Sequence, residues 1–176
     1  MASDTKERIQ AAARELFAQK GVQKTSLQEI ADKLGITKPA LYYHFASRED
    51  LLRSIVQPLI DDGEQFLMDQ ERAGAVEVRA LLEGFFDFHY RHRDDILILL
   101  TDMGTLVDLG LIEFVLAWRN RLTVLIFGPN PPLAKATRAI MALGGMQDCT
   151  VQFPDTPRDE LRTATVDAAM SVLTLA

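Results

Sequence analysis

Apolar residues in the first twenty positions recur at helical spacing: Ile9, Ala12, Ala13, Leu16 and Phe17. Ser3 or Asp4 supplies a helix start and Gly21 a stop, which predicts a first helix near 4–20. Ser26-Leu27-Gln28-Glu29 has the form of a capping box, so a second helix opens there and ends at Gly35. Thr37 caps a third, with Pro39 in its first turn. Ser47 caps a fourth, whose first turn holds Glu49 and Asp50, where the helix dipole favours acids. Pro58 lacks the amide that a helix interior uses, so a kink or break is expected there. Beyond it the pattern places five more helices near 75–92, 95–106, 108–127, 132–152 and 157–175. Gly104, Gly110, GPNPP at 128–132 and FPDTP at 153–157 mark their boundaries. No alternating run bounded by turn signals reads as a strand. The expected fold is all-α, about nine helices, with a three-helix head and a larger helical body.

TSLQEIADKLGITKPALYYHF, residues 25–45, raises a stability question. A helix of two turns is not held by its own hydrogen bonds. Two short helices joined by a turn of three or four residues form a helix-turn-helix, and packing against a neighbour supplies what they lack. Ala31 falls where the helices would cross, and Gly35 in the turn, where a left-handed backbone is cheap for glycine. Ile30, Leu34, Ile36 and Leu41 would point inward onto Leu16 and Phe17, and Phe45 would close the unit.

The outer face of the third helix then carries Lys38, Ala40, Tyr42, Tyr43 and His44, and in a helix-turn-helix that face enters the major groove of DNA. Lys38 suits guanine acceptors or a phosphate, and Ala40 a thymine methyl. The tyrosines and His44 suit phosphate and sugar. Thr25, Ser26 and Thr37 would bring hydroxyls and free helix N-terminal amides to the DNA backbone. Gln28, Pro39 and the cation Arg48 complete the expected DNA-binding set.

Charge sharpens this picture. The formal net charge of −6 is unpromising for a nucleic-acid binder. Residues 1–54, however, hold nine Lys/Arg against seven Asp/Glu, a balance of +2. The remainder holds ten against eighteen, a balance of −8. A mildly basic head and an acidic body suggest two jobs. The expected division is residues 1–47 for DNA binding and 48–176 for ligand binding and dimerisation. With 48% hydrophobic and 25% charged residues, the composition is that of a globular chain. The N-terminus has no apolar core of a secretory signal, and no apolar run reaches the length of a membrane span. The single cysteine, Cys149, allows no internal disulfide. A cytoplasmic protein without membrane partner is expected.

The stretch IQAAARELFAQKGVQKTSLQEIADKLGITKPALYYHFASREDLL, residues 9–52, resembles the TetR family of bacterial transcriptional regulators. The resemblance rests on Gly21, Thr25, Ser26, Ile30, Ala31, Gly35, Leu41, Tyr42, His44, Phe45, Leu51 and Leu52 at the family's spacing. Arg48 stands where lysine is commoner and keeps the charge. It covers about a quarter of the chain. It implies a nine-helix protein, a symmetric dimer and a ligand pocket in the body, hence a homodimeric repressor on a palindromic operator that a small molecule releases.

For the dimer it implies the last two helices, along Ala136, Ile140, Leu143, Gln147 and Val151, and along Leu161, Thr165, Ala168 and Val172. For a largely apolar effector it points to Phe85, Phe86, Phe88, His89, Met103, Leu106, Phe114, Trp118, Arg121, Leu122 and Met146, residues that would equally serve as core. Arg119 and Arg121 lie on different faces, so at most one points inward. His89 and His92 have the spacing of two metal ligands but suit the C-terminal end of their helix better. No metal or other cofactor is expected. No nucleophile motif, phosphate loop or paired-carboxylate motif supports an enzyme. A DNA-binding protein without effector is the remaining alternative.

Overall fold

The computed structural model describes residues 2–74, 76–101 and 103–174, with the side chains of residues 2, 3, 101, 103 and 108 outside the description. Ten α-helices and no strand occur among the described residues. They are α1 (Ala2–Lys20), α2 (Leu27–Leu34), α3 (Lys38–His44), α4 (Arg48–Ala73), α5 (Val78–Arg91), α6 (Arg93–Thr101), α7 (Met103–Asp108), α8 (Leu111–Phe127), α9 (Leu133–Gln152) and α10 (Arg158–Thr174). The helix expected over 95–106 is described as Arg93–Thr101 and Met103–Asp108, and residue 102 between them lies outside the described residues. α1 begins at Ala2, so Ser3 and Asp4 lie inside its first turn rather than capping it. None of the described helices is long and apolar enough to cross a membrane.

The chain divides into two compact units. One comprises Met1–Ile60 and Asp94–Leu111, the other Asp61–Arg93 and Ile112–Ala176. In the first, α1, α2 and α3 share a core with the start of α4 and with α6 and α7. Ile9, Ala13, Phe17, Ile30, Ala31, Leu41, Leu51 and Ile55 are fully enclosed, and Ile98, Leu99, Leu109 and Leu111 join them. Arg14 on α1 donates twice to Asp95 on α6, Nε to Oδ1 at 2.7 Å and Nη2 to Oδ2 at 3.3 Å. This fork-to-fork pair fixes α6 on the head.

The helix α4 runs without interruption through Pro58, so of the expected kink or break the break does not occur. The physical reason lies at Ser54, whose carbonyl has no amide to accept from residue 58. Gln10 on α1 donates through Nε2 to that carbonyl at 3.2 Å and to the Ser54 hydroxyl at 2.9 Å. The orphaned acceptor is satisfied from outside the helix.

In the second unit α9 and α10 pack against each other and against α5. Its centre is aromatic. Trp118 on α8 lies 5.5 Å from the Phe88 ring and 5.7 Å from the Phe85 ring, centroid to centroid, with Phe66 and His89 completing the cluster. The indole Nε1 donates to the carbonyl of Gly63 on α4 at 2.9 Å. A Cβ on Gly63 would stand 3.1 Å from the Phe88 ring, so the close approach of α4 and α5 there depends on the missing side chain.

Candidate nucleic-acid interface

The hydrogen bonds that open and close α2 and α3 are the ones their sequences announce. Ser26 Oγ accepts from the Glu29 amide at 3.2 Å, and Glu29 Oε2 accepts from the Ser26 amide at 2.8 Å. This reciprocal pair closes α2 at its N-terminus. Lys20 and the two Ser26 donors hold the Glu29 carboxyl down at about 2. Gly35 sits at φ +66°, and its amide donates back to Asp32 O at 3.1 Å. A side chain there would meet nothing within 4 Å, so the demand for glycine is a backbone demand. Thr37 Oγ1 accepts from the Ala40 amide at 3.3 Å and opens α3. Only Leu41 of α3 is buried; Leu34 and Ile36 are partly buried against the same core. Seven residues are thus held by packing on one side and left open on the other.

On the open side Tyr43 is 84% exposed and Tyr42 45% exposed, with Lys38, Pro39 and Ala40 also exposed and His44 half-buried. The Lys38 ammonium lies 5.7 Å from the Tyr42 ring centroid, and the Tyr43 and His44 rings meet edge to face at 5.2 Å. Large aromatic surface left in water beside a cation is costly in a monomer without purpose, and it suits a polyanion with sugar and methyl surface. Gln28 is exposed and donates to Asp32 Oδ1 at 2.7 Å, a bond on the open surface of α2.

Two of the expected contacts are corrected. Thr25 is 1% exposed, and its hydroxyl donates to Gly21 O at 2.9 Å. It ties the end of α1 to the start of α2 and offers no hydroxyl to a partner. Arg48 is likewise spent on its own chain. Its Nη1 donates to Gln23 O at 2.9 Å and its Nη2 to Gln23 Oε1 at 2.7 Å. The guanidinium clamps the loop between α1 and α2, a role that charge alone does not distinguish from a phosphate ligand.

Residues 9–55 match the family model described as bacterial regulatory proteins, tetR family. The activator FasR of Mycolicibacterium smegmatis is 35% identical over 80 residues, 44% of this chain and 36% of that protein. The repressor BepR of Brucella suis is 40% identical over 55 residues, 31% of this chain and 26% of its own length. A transcriptional regulator of Aquifex aeolicus superposes with a TM-score of 0.74 over 96% of this chain and 99% of its own, at 22% identity. Residues 9–55 are similar to the TetR family in sequence, and the chain shares the fold of the Aquifex regulator. Transcriptional regulators are what the N-terminal part of the chain resembles in sequence and 96% of the chain resembles in fold. The matched stretches span about a third or less of the curated relatives' length, and the family model covers residues 9–55 alone.

The residues expected in the ligand-binding body do not form one group. Phe85, Phe88, His89 and Trp118 are brought together as the aromatic centre of the second unit; Phe86, Leu122 and Met146 are also buried there, and Phe114 is half-buried. Leu106 packs instead on the core of the first unit, and the side chain of Met103 lies outside the described residues. Arg121 is no inward anchor, because it is paired with Glu64 and, at 2.8 Å, with Glu71 on the surface. Arg119 is the arginine that turns to α9, donating to Gln147 Oε1 at 2.7 Å. His89 is buried, and its Nδ1 lies 2.9 Å from Phe85 O, an atom that only accepts. Nδ1 therefore carries the hydrogen, and burial pushes the ring's pKa down to about 4, against the Phe85 bond and with the charges of Arg119 and His92. His92 ends α5, and its Nε2 lies 2.9 Å from Asp62. No group of three or more His, Cys, Asp or Glu placed to hold a metal ion occurs among the described residues.

On α9 and α10 the two stripes split by burial. Leu143, Leu161 and Thr165 are buried within the chain, whereas Ile140 is 55% exposed and Ala168 is exposed. Ala136, Gln147, Val151 and Val172 are intermediate. The free apolar face is turned from the expected one, toward Met141, which is 68% exposed, and toward Gly144 and Gly145, which have open space where a side chain would stand.

Proposed function

We propose that the protein is a DNA-binding transcriptional repressor that acts as a homodimer on a roughly palindromic operator and is released by a small, largely apolar effector. The observation that carries the DNA reading is the exposed Lys38–Tyr42–Tyr43 surface on a helix whose opposite side is fixed by Leu41 and Gly35. An exposed aromatic surface on a helix packed from behind is suited to insertion in a major groove. Ser26, Gln28, Thr37, Pro39, Ala40 and His44 flank it and would contact the DNA backbone and base edges.

The homodimer reading rests on Ile140, Met141, Ala168 and the two open glycines of α9, a combination that admits a close helix–helix approach. The effector would bind in the second unit near Trp118, where the aromatic side chains are concentrated and His89 Nε2 bears an unprotonated lone pair. Its effect on DNA is a population shift, which requires different affinity for the DNA-competent and released states. The continuous helix α4 belongs to both units and is the element through which such a shift would pass.

The experiment is fluorescence anisotropy with labelled DNA from upstream of the protein's own gene, against scrambled competitor. Specific binding that Tyr42→Ala weakens at least tenfold is the expected result. A Tyr42→Ala protein with unchanged operator affinity contradicts the assignment of α3.

A further inference from the structure

The nine cations of residues 1–54 are not equivalent in the fold. Four are engaged by carboxylates: Arg14 by Asp95, Lys20 by Glu29, Lys33 by Glu15 and Arg48 by Glu49. Among the described residues, Lys6, Arg8, Lys24, Lys38 and Arg53 have no carboxylate partner. Lys6 and Lys24 stand apart from the other unpaired cations outside α3 because of where the chain holds them. The Lys6 ammonium lies 5.7 Å from the centroid of the Phe45 ring, and Phe45 is the residue that caps the C-terminus of α3. Lys24 is exposed one residue before Thr25, at the end of the loop that the Arg48 guanidinium clamps through Gln23, and two residues before the N-cap of α2. Lys38 opens α3. One unpaired ammonium thus stands at each end of the exposed helix, and another beside the free amides of α2.

We infer that Lys6 and Lys24 are phosphate ligands that position the helix-turn-helix on the duplex, outside the α3 surface itself. This rests on the DNA-binding reading above and adds to it two residues that the sequence pattern did not single out. The physical argument is economy of desolvation. A lysine already engaged by a carboxylate must exchange one partner for another on meeting phosphate, whereas an unpaired ammonium exchanges only water and releases the counterions of the phosphate it meets. Lys6 is also partly pre-placed, because its position over the Phe45 ring limits the rotamers it must give up on binding. The loop clamp at Gln23 does the same for the backbone of Lys24.

The test is the salt dependence of operator affinity, measured by anisotropy from 50 to 200 mM salt on the full chain. Each phosphate contact contributes about 0.9 to the slope of log affinity against log salt, so one lysine in each subunit of a dimer contributes about 1.8. Lys6→Ala and Lys24→Ala should each flatten the slope by about that amount, so that the wild type loses about 12-fold more affinity than either variant across this range. Neither should change the ratio between operator and scrambled DNA. Lys6→Arg should retain the slope, Lys33→Ala should flatten it less than either, and Lys135→Ala in the body should leave it unaltered. Slopes for Lys6→Ala and Lys24→Ala equal to that of the wild type overturn this inference while leaving DNA binding intact. A wild-type protein with no salt-sensitive binding at all overturns the DNA-binding reading itself.

Discussion

His89 gives the chain a built-in acid sensitivity that can be worked out in advance. In the folded state the ring is neutral, enclosed by Phe85, Phe88 and Trp118, and its pKa is held down to about 4 by burial. In the unfolded chain it returns to about 6.5. The unfolded state therefore binds more protons at every pH between these values, and stability must fall as pH falls through that window. The contribution of His89 is full above 6.5 and gone below about 4. The whole gap is worth roughly 3 kcal/mol, and lowering the pH from 7.5 to 5.0 should remove about 2 kcal/mol of it.

The chain's single tryptophan, Trp118, lies against His89, so urea unfolding followed by its emission reads the unit concerned. His89→Gln removes the titration and retains an amide donor for Phe85 O. Wild type should lose about 2 kcal/mol more than His89→Gln between pH 7.5 and 5.0. Glu29, held to about 2, titrates outside the window, and His44 and His92 are common to both proteins. Equal losses in the two proteins would refute the assignment of His89 as a neutral, desolvated ring.

The head offers three further tests, each read by far-UV circular dichroism in urea. Gly35→Ala places a side chain on a left-handed residue with no clash around it, so it should cost about 1–2 kcal/mol from backbone strain alone, with Gly35→Asn costing less. Gln10→Ala strands the Ser54 carbonyl and should cost about 1 kcal/mol. In a Pro58→Ala background the restored amide satisfies that carbonyl, so the cost of Gln10→Ala should shrink by about 0.5 kcal/mol or more; an unchanged cost would show that Gln10 does not substitute for the missing helix bond. Arg48→Met should lower head stability by about 1–2 kcal/mol while leaving the salt slope of DNA binding in place, because the guanidinium serves Gln23 rather than phosphate.

What was legible in the sequence was whatever local chemistry determines. The capping box at Ser26 and Glu29, the left-handed Gly35 and the Thr37 cap are each satisfied within a few residues of chain, and each stands where the spacing put it. The burial of Ile30, Ala31 and Leu41 follows from the same periodicity. What was not legible depended on a partner distant in sequence. Pro58 reads as a break until Gln10, 44 residues before Ser54, is seen to supply the absent donor. Arg48 reads as a phosphate ligand until Gln23 is seen to occupy it. Thr25 reads as a hydroxyl at a helix start, and only the fold turns it inward to Gly21. Helical periodicity also left the buried edge of α9 unresolved: Ile140 and Leu143 are three residues apart on one stripe, yet one is exposed and the other fully enclosed.

The acidic balance of the whole chain is compatible with this reading and has a consequence for it. In the body several carboxylates are consumed internally, Asp87 and Glu83 by Arg162, Asp87 also by Arg158, and Glu64 and Glu71 by Arg121. The excess of −8 carried by residues 55–176 remains, and it repels a polyanion wherever it faces one. Such repulsion costs non-specific and operator complexes alike. The operator complex alone adds the base contacts of α3, so a weak electrostatic background makes those contacts a larger share of the total. A small set of unpaired lysines beside an aromatic helix is then sufficient, and a strongly basic head would blur the discrimination it is meant to support.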